Sequence, residues 1–247
     1  MARMLVFGGA GINHHLSHHR TGKTGSRIAH KLTSRSIPVL LTSRKGQSGV
    51  PAGEPIKAVP FDWFDDKTYI NPFNEDENID AVYLVLPPVI PGRDLAQVVE
   101  KFIDFAKTKG VKKFLLLSSV NSEKGAPTPH GQLHAFLDAS GLDYAVLRPT
   151  WFFSKFLRFN WCDLFIQMIA NFLQSESIRE KDEIISAAAQ GKTGFISEDD
   201  IADIAVEFLT ASKLGNVERI LLGPELLSYQ DVCDFPLVSR NNVIWFT

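Results

Sequence analysis

Gly8-Gly9 and, after an interruption, Thr21-Gly22-Lys23-Thr24-Gly25 are the residues whose types and spacing point first to chemistry. Glycines placed so, between an apolar run and a helix-like stretch, let backbone N–H groups approach a pyrophosphate at a helix N-terminus, where the dipole favours negative charge. Arg44 stands nineteen residues after Gly25, close to where an NAD-binding unit puts its ribose-reading carboxylate. A guanidinium there can neutralise a 2′-phosphate through charge-assisted hydrogen bonds, so the reading is NADPH/NADP rather than NAD. The triplet Gly22-Lys23-Thr24 also fits the end of a nucleoside-triphosphate loop. That loop needs a glycine five residues before Gly22. Position 17 is Ser17, and with the interruption removed the residue becomes Val6, so the reading fails.

Further candidates stand at the ends of apolar runs. Asp62 could accept from an adenine amino group, and Pro87 and Pro88 could line the adenine-ribose side without donating. Ser118 or Ser119, with His134, could hold the nicotinamide ribose or amide; Ser118 and His134 are the catalytic candidates. Trp151 and Phe152, with Phe153, could wall a substrate and offer it an aromatic face. Each has a plainer structural alternative. Asp and Pro are common at strand ends, an aromatic trio is ordinarily core, and His134 also fits an ordinary surface-helix histidine.

The elements that must position these residues alternate as in a parallel sheet. Strands are predicted at Met4–Phe7, Pro38–Leu41, Ile56–Pro60, Ala81–Leu86, Lys113–Leu117, Tyr144–Leu147 and Arg219–Leu222. One helix is predicted after the N-cap Asp94, burying Leu95, Val98, Val99, Phe102 and Ala106 and stopping at Gly110; another follows Ser197 and carries Ile201, Ile204, Ala205 and Phe208. The expected class is α/β, a Rossmann-like doubly wound parallel sheet with a small C-terminal substrate lobe. The expected division is a dinucleotide-binding domain over 1–150 and the lobe over 151–247. In such sheets ligands sit beyond the carboxyl ends of the strands.

Composition narrows the classes. A chain of 247 residues can bury a sizeable core, and its formal net charge of −2 offers no basic field for nucleic acid. Two cysteines, Cys162 and Cys233, argue against a disulfide framework and a thiolate metal site. His14, His15, His18 and His19 form two i, i+4 pairs if helical, but no carboxylate or cysteine completes a shell, so no metal is expected. The apolar run Trp151–Leu173 contains Lys155, Arg158 and Asp163 and reads as an added amphipathic helix rather than a membrane span. The expected setting is cytoplasmic, with no membrane partner.

Several segments together resemble the fungal festuclavine and agroclavine dehydrogenases, atypical short-chain dehydrogenases related to the nitrogen-metabolite-repression regulators. They are Leu5-Val6-Phe7-Gly8-Gly9, Thr21 to Ala29, Lys57 to Phe64 with its Phe61-Asp62-Trp63-Phe64, Ala81 to Pro88, Tyr144 to Phe152, and Leu222 to Tyr229 with its Gly223-Pro224-Glu225-Leu226-Leu227. The resemblance implies NADPH-dependent reduction of a clavine iminium, formed from chanoclavine-I aldehyde, to festuclavine or agroclavine in ergot alkaloid biosynthesis. It also implies an alkaloid substrate and a pathway partner enzyme supplying the iminium. The alternatives are a non-catalytic NADP-sensing regulator of the nitrogen-repression type and a quinone- or flavin-type reductase.

One chemical feature suits an iminium. Ketone-reducing members of the superfamily need a Tyr-x-x-x-Lys pair to protonate the developing oxyanion; this chain reads His130-Gly131-Gln132-Leu133-His134 after the fifth strand, with no tyrosine until Tyr144. Three stretches depart from the family pattern: Ala10–Arg20 splits the phosphate loop, Ser154–Ala170 interrupts the lobe, and the tail after Val232 stops early. All three look like translated intron or misplaced splice sites. With the eleven residues Ala10–Arg20 inserted, the helix N-terminus need not sit where the strand end would present pyrophosphate, and weak or absent NADP binding is expected, recovered when they are deleted, with binding suffering more than folding.

Overall fold

The computed structural model describes residues 3–8, 24–50, 53, 55–152, 183–186, 191–229, 231 and 242–245. The four histidines at 14, 15, 18 and 19, both cysteines, Phe153 and the stretch Ser154–Ala170 lie outside them. Of the tail beyond Val232, only Asn242–Trp245 is described.

Seven strands form one parallel sheet. In chain order they are β1 (Arg3–Val6), β2 (Val39–Ser43), β3 (Lys57–Pro60), β4 (Ile79–Val85), β5 (Lys113–Leu117), β6 (Asp143–Pro149) and β9 (Val217–Leu221). Their spatial order is β3-β2-β1-β4-β5-β6-β9, with every neighbouring pair parallel. The order reverses at β1, so the crevice beyond the carboxyl ends of β1 and β4 is the topological switch point. Parallel strands covered on both faces read as unbroken apolar runs, and Leu5, Val82, Leu115 and Val146 are fully buried.

The helices are α1 (Gly25–Ser34), α2 (Asn71–Glu75), α3 (Leu95–Thr108), α4 (Pro129–Ala139) and α5 (Glu198–Thr210). The helix predicted after Asp94 is α3: the Asp94 carboxylate accepts from the Gln97 amide at 3.1 Å, and Gly110 takes φ +90° just past the end. On α4, Thr128 caps by accepting from the Gly131 amide at 3.1 Å, and Pro129 occupies the first turn. Ile28, Ala29 and Leu32 of α1 and Ile201, Ala205 and Leu209 of α5 are buried, and Arg27–Asp199 (3.0 Å) and Lys31–Asp203 (2.7 Å) tie the two helices together. On the α3 side, Phe7, Phe61 and Phe102 meet edge to face at 4.8–5.3 Å.

The chain divides into two compact units, Met1–Pro149 with Asp199–Leu221, and Thr150–Glu198 with Leu222–Thr247. In the first unit, α5 and β9 complete the layers. The second unit contains β8 (Thr193–Gly194) antiparallel to β10 (Leu226–Leu227), and β7 (Glu183–Ser186) parallel to β11 (Asn242–Trp245). Among the described residues no helix is long and apolar enough to cross a membrane, and no group of three His, Cys, Asp or Glu could hold a metal ion.

Candidate functional site

The phosphate turn is built where β1 stops. Phe7 donates its amide to the Tyr83 carbonyl on β4 at 3.0 Å, and Gly8 follows at φ +90°, a conformation open to glycine. The chain returns at Thr24, and α1 begins at Gly25. A Cβ on Gly25 would stand 2.6 Å from the Phe7 carbonyl oxygen and 3.1 Å from that of Gly8, so only glycine lets the helix approach the strand this closely. This is the close-packing role of a glycine in a dinucleotide turn. Gly9, Thr21, Gly22 and Lys23 lie outside the described residues. The helix start stays at the strand end despite the insertion: α1 begins directly against the end of β1.

Thr24 is 4% exposed, and its side chain makes no capping bond to α1; its hydroxyl oxygen accepts from the Tyr83 hydroxyl at 2.9 Å. Burial pushes the Tyr83 hydroxyl far above the usual phenol range, so it remains a donor.

Arg44 follows the last residue of β2 and is exposed. The turn holding it is fixed: the Ser43 hydroxyl accepts from the Lys45 amide at 3.2 Å, and Gly46 takes φ +57°. Among the described residues no carboxylate pairs with the Arg44 guanidinium, which leaves it available to a phosphate. At the next strand end, Asp62 accepts from the Phe64 amide through Oδ1 at 2.9 Å, so one carboxylate oxygen shapes the turn and the other stays available. Phe61 and Trp63 on either side pack into the aromatic core. Beyond β4, Pro87 is buried and Pro88 exposed, so the two prolines do not share an environment.

At the end of β5, Ser118 donates its amide to the Leu147 carbonyl at 2.7 Å, and its hydroxyl is buried without a hydrogen-bond partner. A buried hydroxyl without a partner is costly. The segment is clamped from β6. Arg148, 5% exposed, donates through Nε to the Ser119 carbonyl (3.3 Å), through Nη2 to the Val120 carbonyl (2.6 Å) and through Nη1 to both Glu218 carboxylate oxygens (3.2 and 3.3 Å).

The Ser118 hydroxyl makes no hydrogen bond to His134. His134 is 3% exposed rather than a surface residue, lies edge-on to Tyr144 at 5.9 Å, and holds Nδ1 3.7 Å from Glu218 Oε2. Its Nδ1 makes no hydrogen bond, and Glu218, the carboxylate it faces, is the one that Arg148 holds. Trp151 and Phe152 belong to the second unit, where Trp151 accepts from the Ile196 amide at 2.9 Å and Phe152 bridges to Ile196. Tyr83 and Glu218 had no site role in the sequence reading. Arg148 carried a signal, since a charged residue inside Tyr144-Ala145-Val146-Leu147-Arg148 is out of place in a buried strand without internal partners.

Burial lowers the pKa of both His130 and His134 from the ordinary 6.5; for His134 the nearby Glu218 opposes this in part. A depressed folded-state value means the native protein favours neutral imidazole while the unfolded chain binds the proton. Their contribution is therefore intact above about pH 6.5 and lost as pH falls through that value toward the folded ones. Urea midpoints measured from pH 7.5 to 5 should fall on the acid side, and His134→Leu should flatten that fall. An unaltered slope would remove His134 from the account.

The strand order, the Gly8–Gly25 turn and the unpaired cation beyond β2 define an NAD(P)H-binding oxidoreductase of Rossmann type. Residues 21–155 match the family described as NAD(P)H-binding. The chain is 40% identical over 227 residues to agroclavine dehydrogenase of Claviceps fusiformis, covering 90% of this chain and 72% of that one. It is 37% identical over 219 residues to festuclavine synthase I of Penicillium roqueforti, covering 86% and 69%. The chain belongs to the agroclavine and festuclavine dehydrogenase family. Among solved structures, a nucleoside-diphosphate-sugar epimerase from Staphylococcus aureus superposes with TM-score 0.67 at 16% identity over 94% of this chain and 75% of its own. An NADPH-dependent quinone oxidoreductase from Escherichia coli gives 0.66 at 18% over 94% and 73%. At these identities the likeness concerns the fold.

Proposed function

We propose that the chain reduces a clavine iminium ion, derived from chanoclavine-I aldehyde, to festuclavine or agroclavine at the expense of NADPH. One observation carries the reading beyond the family relationship: the tyrosine hydroxyls of the first unit are already committed. Tyr83 donates to Thr24 (2.9 Å), Tyr144 to Asp138 (2.6 Å) and Tyr69 to the Trp63 carbonyl (2.9 Å). Burial, reinforced by Asp138, pushes Tyr144 up to about 12, and burial with Asp66 and Asp62 does the same for Tyr69. A carbonyl accepting hydride becomes an alkoxide and needs a proton, whereas an iminium carbon accepting hydride leaves a neutral amine. A first unit whose described tyrosine hydroxyls are all committed suits the second reaction.

The nicotinamide coenzyme, when bound, supplies the hydride. The Gly8–Gly25 turn holds its pyrophosphate, with Gly9, Thr21, Gly22, Lys23 and Thr24 completing the loop. Arg44 takes the 2′-phosphate, Asp62, Pro87 and Pro88 line the adenosine half, and Ser118 meets the nicotinamide half with its unpaired hydroxyl. His134 acts as a positioning group through Glu218 and Arg148, and Trp151 and Phe152 provide the aromatic contact to the indole. The setting is the cytoplasm, beside an enzyme that delivers the iminium.

Steady NADPH oxidation with the clavine iminium, and none with simple ketones or aldehydes, is the expected result. Turnover of a ketone would reveal a proton donor and overturn the proposal; coenzyme binding without turnover would favour the regulator reading. Arg44→Ala should weaken NADPH about tenfold and leave NADH nearly unchanged, the worth of one charge-assisted phosphate contact. An unaltered preference in paired titrations would remove Arg44 from the phosphate site.

A further inference from the structure

We propose that Tyr83 is a positioning residue for the coenzyme, a bracket on β4 that holds both flanks of the phosphate turn and so keeps the pyrophosphate donors in place across the inserted loop. The inference rests on the NADPH reading above. Tyr83 is fully buried and lies in β4, the strand paired with β1 at the switch point, in register with Val6. Its carbonyl accepts from the Phe7 amide on the strand side at 3.0 Å, and its hydroxyl donates to Thr24 Oγ1 on the helix side at 2.9 Å. One residue thus fastens the last residue before Gly8 and the last before Gly25, whatever lies between.

The bond has a second effect. Thr24 occupies the N-cap of α1, where a threonine hydroxyl ordinarily accepts from a first-turn amide. Here that oxygen is turned to Tyr83 and makes no capping bond, so the cap does not compete with a phosphate for the helix's first amides. The 2.6 Å limit at Gly25 sets how near α1 approaches β1; the Tyr83–Thr24 bond prevents it from sliding along or away. With eleven extra residues between Gly9 and Thr21, the apolar face of α1 and its ion pairs to α5 fix the helix body, and the Tyr83–Thr24 bond fixes its start.

NADPH and 2′-AMP separate positioning from general damage, because 2′-AMP carries the adenosine and 2′-phosphate but no pyrophosphate. Calorimetric titration of the full chain with each should show Tyr83→Phe weakening NADPH about tenfold, as for an unmade buried hydrogen bond, while 2′-AMP stays within about twofold. Thr24→Val should reproduce the loss, the double variant should be no worse than either single one, and Thr24→Ser, which keeps the acceptor, should bind as wild type. If Tyr83→Phe does not fold, Thr24→Val decides. Equal weakening of both ligands, or of neither, overturns the proposal. A wild-type chain that binds 2′-AMP but not NADPH overturns it as well, and one that binds neither overturns the coenzyme reading beneath it.

Discussion

Gly25→Ala is expected to abolish NADPH binding at concentrations that saturate the wild type. The added methyl would meet the Phe7 carbonyl oxygen at 2.6 Å and the Gly8 carbonyl oxygen at 3.1 Å. Both are backbone atoms directly after the central strand β1, where the Phe7 amide is held by the Tyr83 carbonyl, so neither swings aside as a flexible side chain would. The helix must retreat, and it carries away the amides that a phosphate needs at hydrogen-bonding distance. Overpacking of this kind costs about 1–3 kcal/mol. Alanine is the better helix former, so a loss of stability would have to come from the contact. Titration and thermal melting on the same preparation check both parts; wild-type affinity would mean that α1 does not lie where the turn requires it.

The second large effect is expected at Arg148. Replacing it with methionine keeps most of the stem but removes the donors to two carbonyls and to Glu218. Stability should fall by about 3 kcal/mol, within the range for breaking a buried ion pair while leaving its hydrogen-bond partners unmet. Glu218 is 43% exposed on its side chain and can rehydrate, so Glu218→Gln should cost clearly less. Arg148→Lys should rescue little, because one ammonium cannot span a planar fork of partners. Since Ser119 and Val120 belong to the turn that carries Ser118, kcat should fall more steeply than NADPH affinity. Equal losses for Arg148→Met and Glu218→Gln would refute this division of labour.

The sheet was legible because a parallel strand buried on both faces has almost no freedom of composition. The expected runs match β1 to β6 and β9 within two residues at most ends, and Lys113–Leu117 matches outright. The helix after Asp94 was legible through its ends, a carboxylate cap and a terminal glycine. The close turn between Gly8 and Gly25 was legible because a positive φ and a tight helix–strand approach each restrict the residue to glycine. What stayed hidden depends on contacts far apart in sequence. Tyr83 looks like an ordinary strand aromatic until Thr24, fifty-nine positions away, receives its hydroxyl; the Arg148–Glu218 pair spans seventy. The surface-helix alternative for His134 failed for the same reason: α4 turns that residue toward Tyr144 and leaves it buried.

The return of α5 and β9 to the first unit has a consequence for how the protein is made. When β6 has just been synthesised, its outer edge lacks the strand that will cover it, and the buried faces awaiting Ile201, Ala205 and Leu209 are open. About seventy further residues must be added before Leu221 is in place. At about 5–20 residues per second the nascent chain carries an unpaired, strongly apolar edge for roughly 4–14 s. That interval, rather than the finished fold, is where this polypeptide is most exposed to aggregation and most dependent on chaperones.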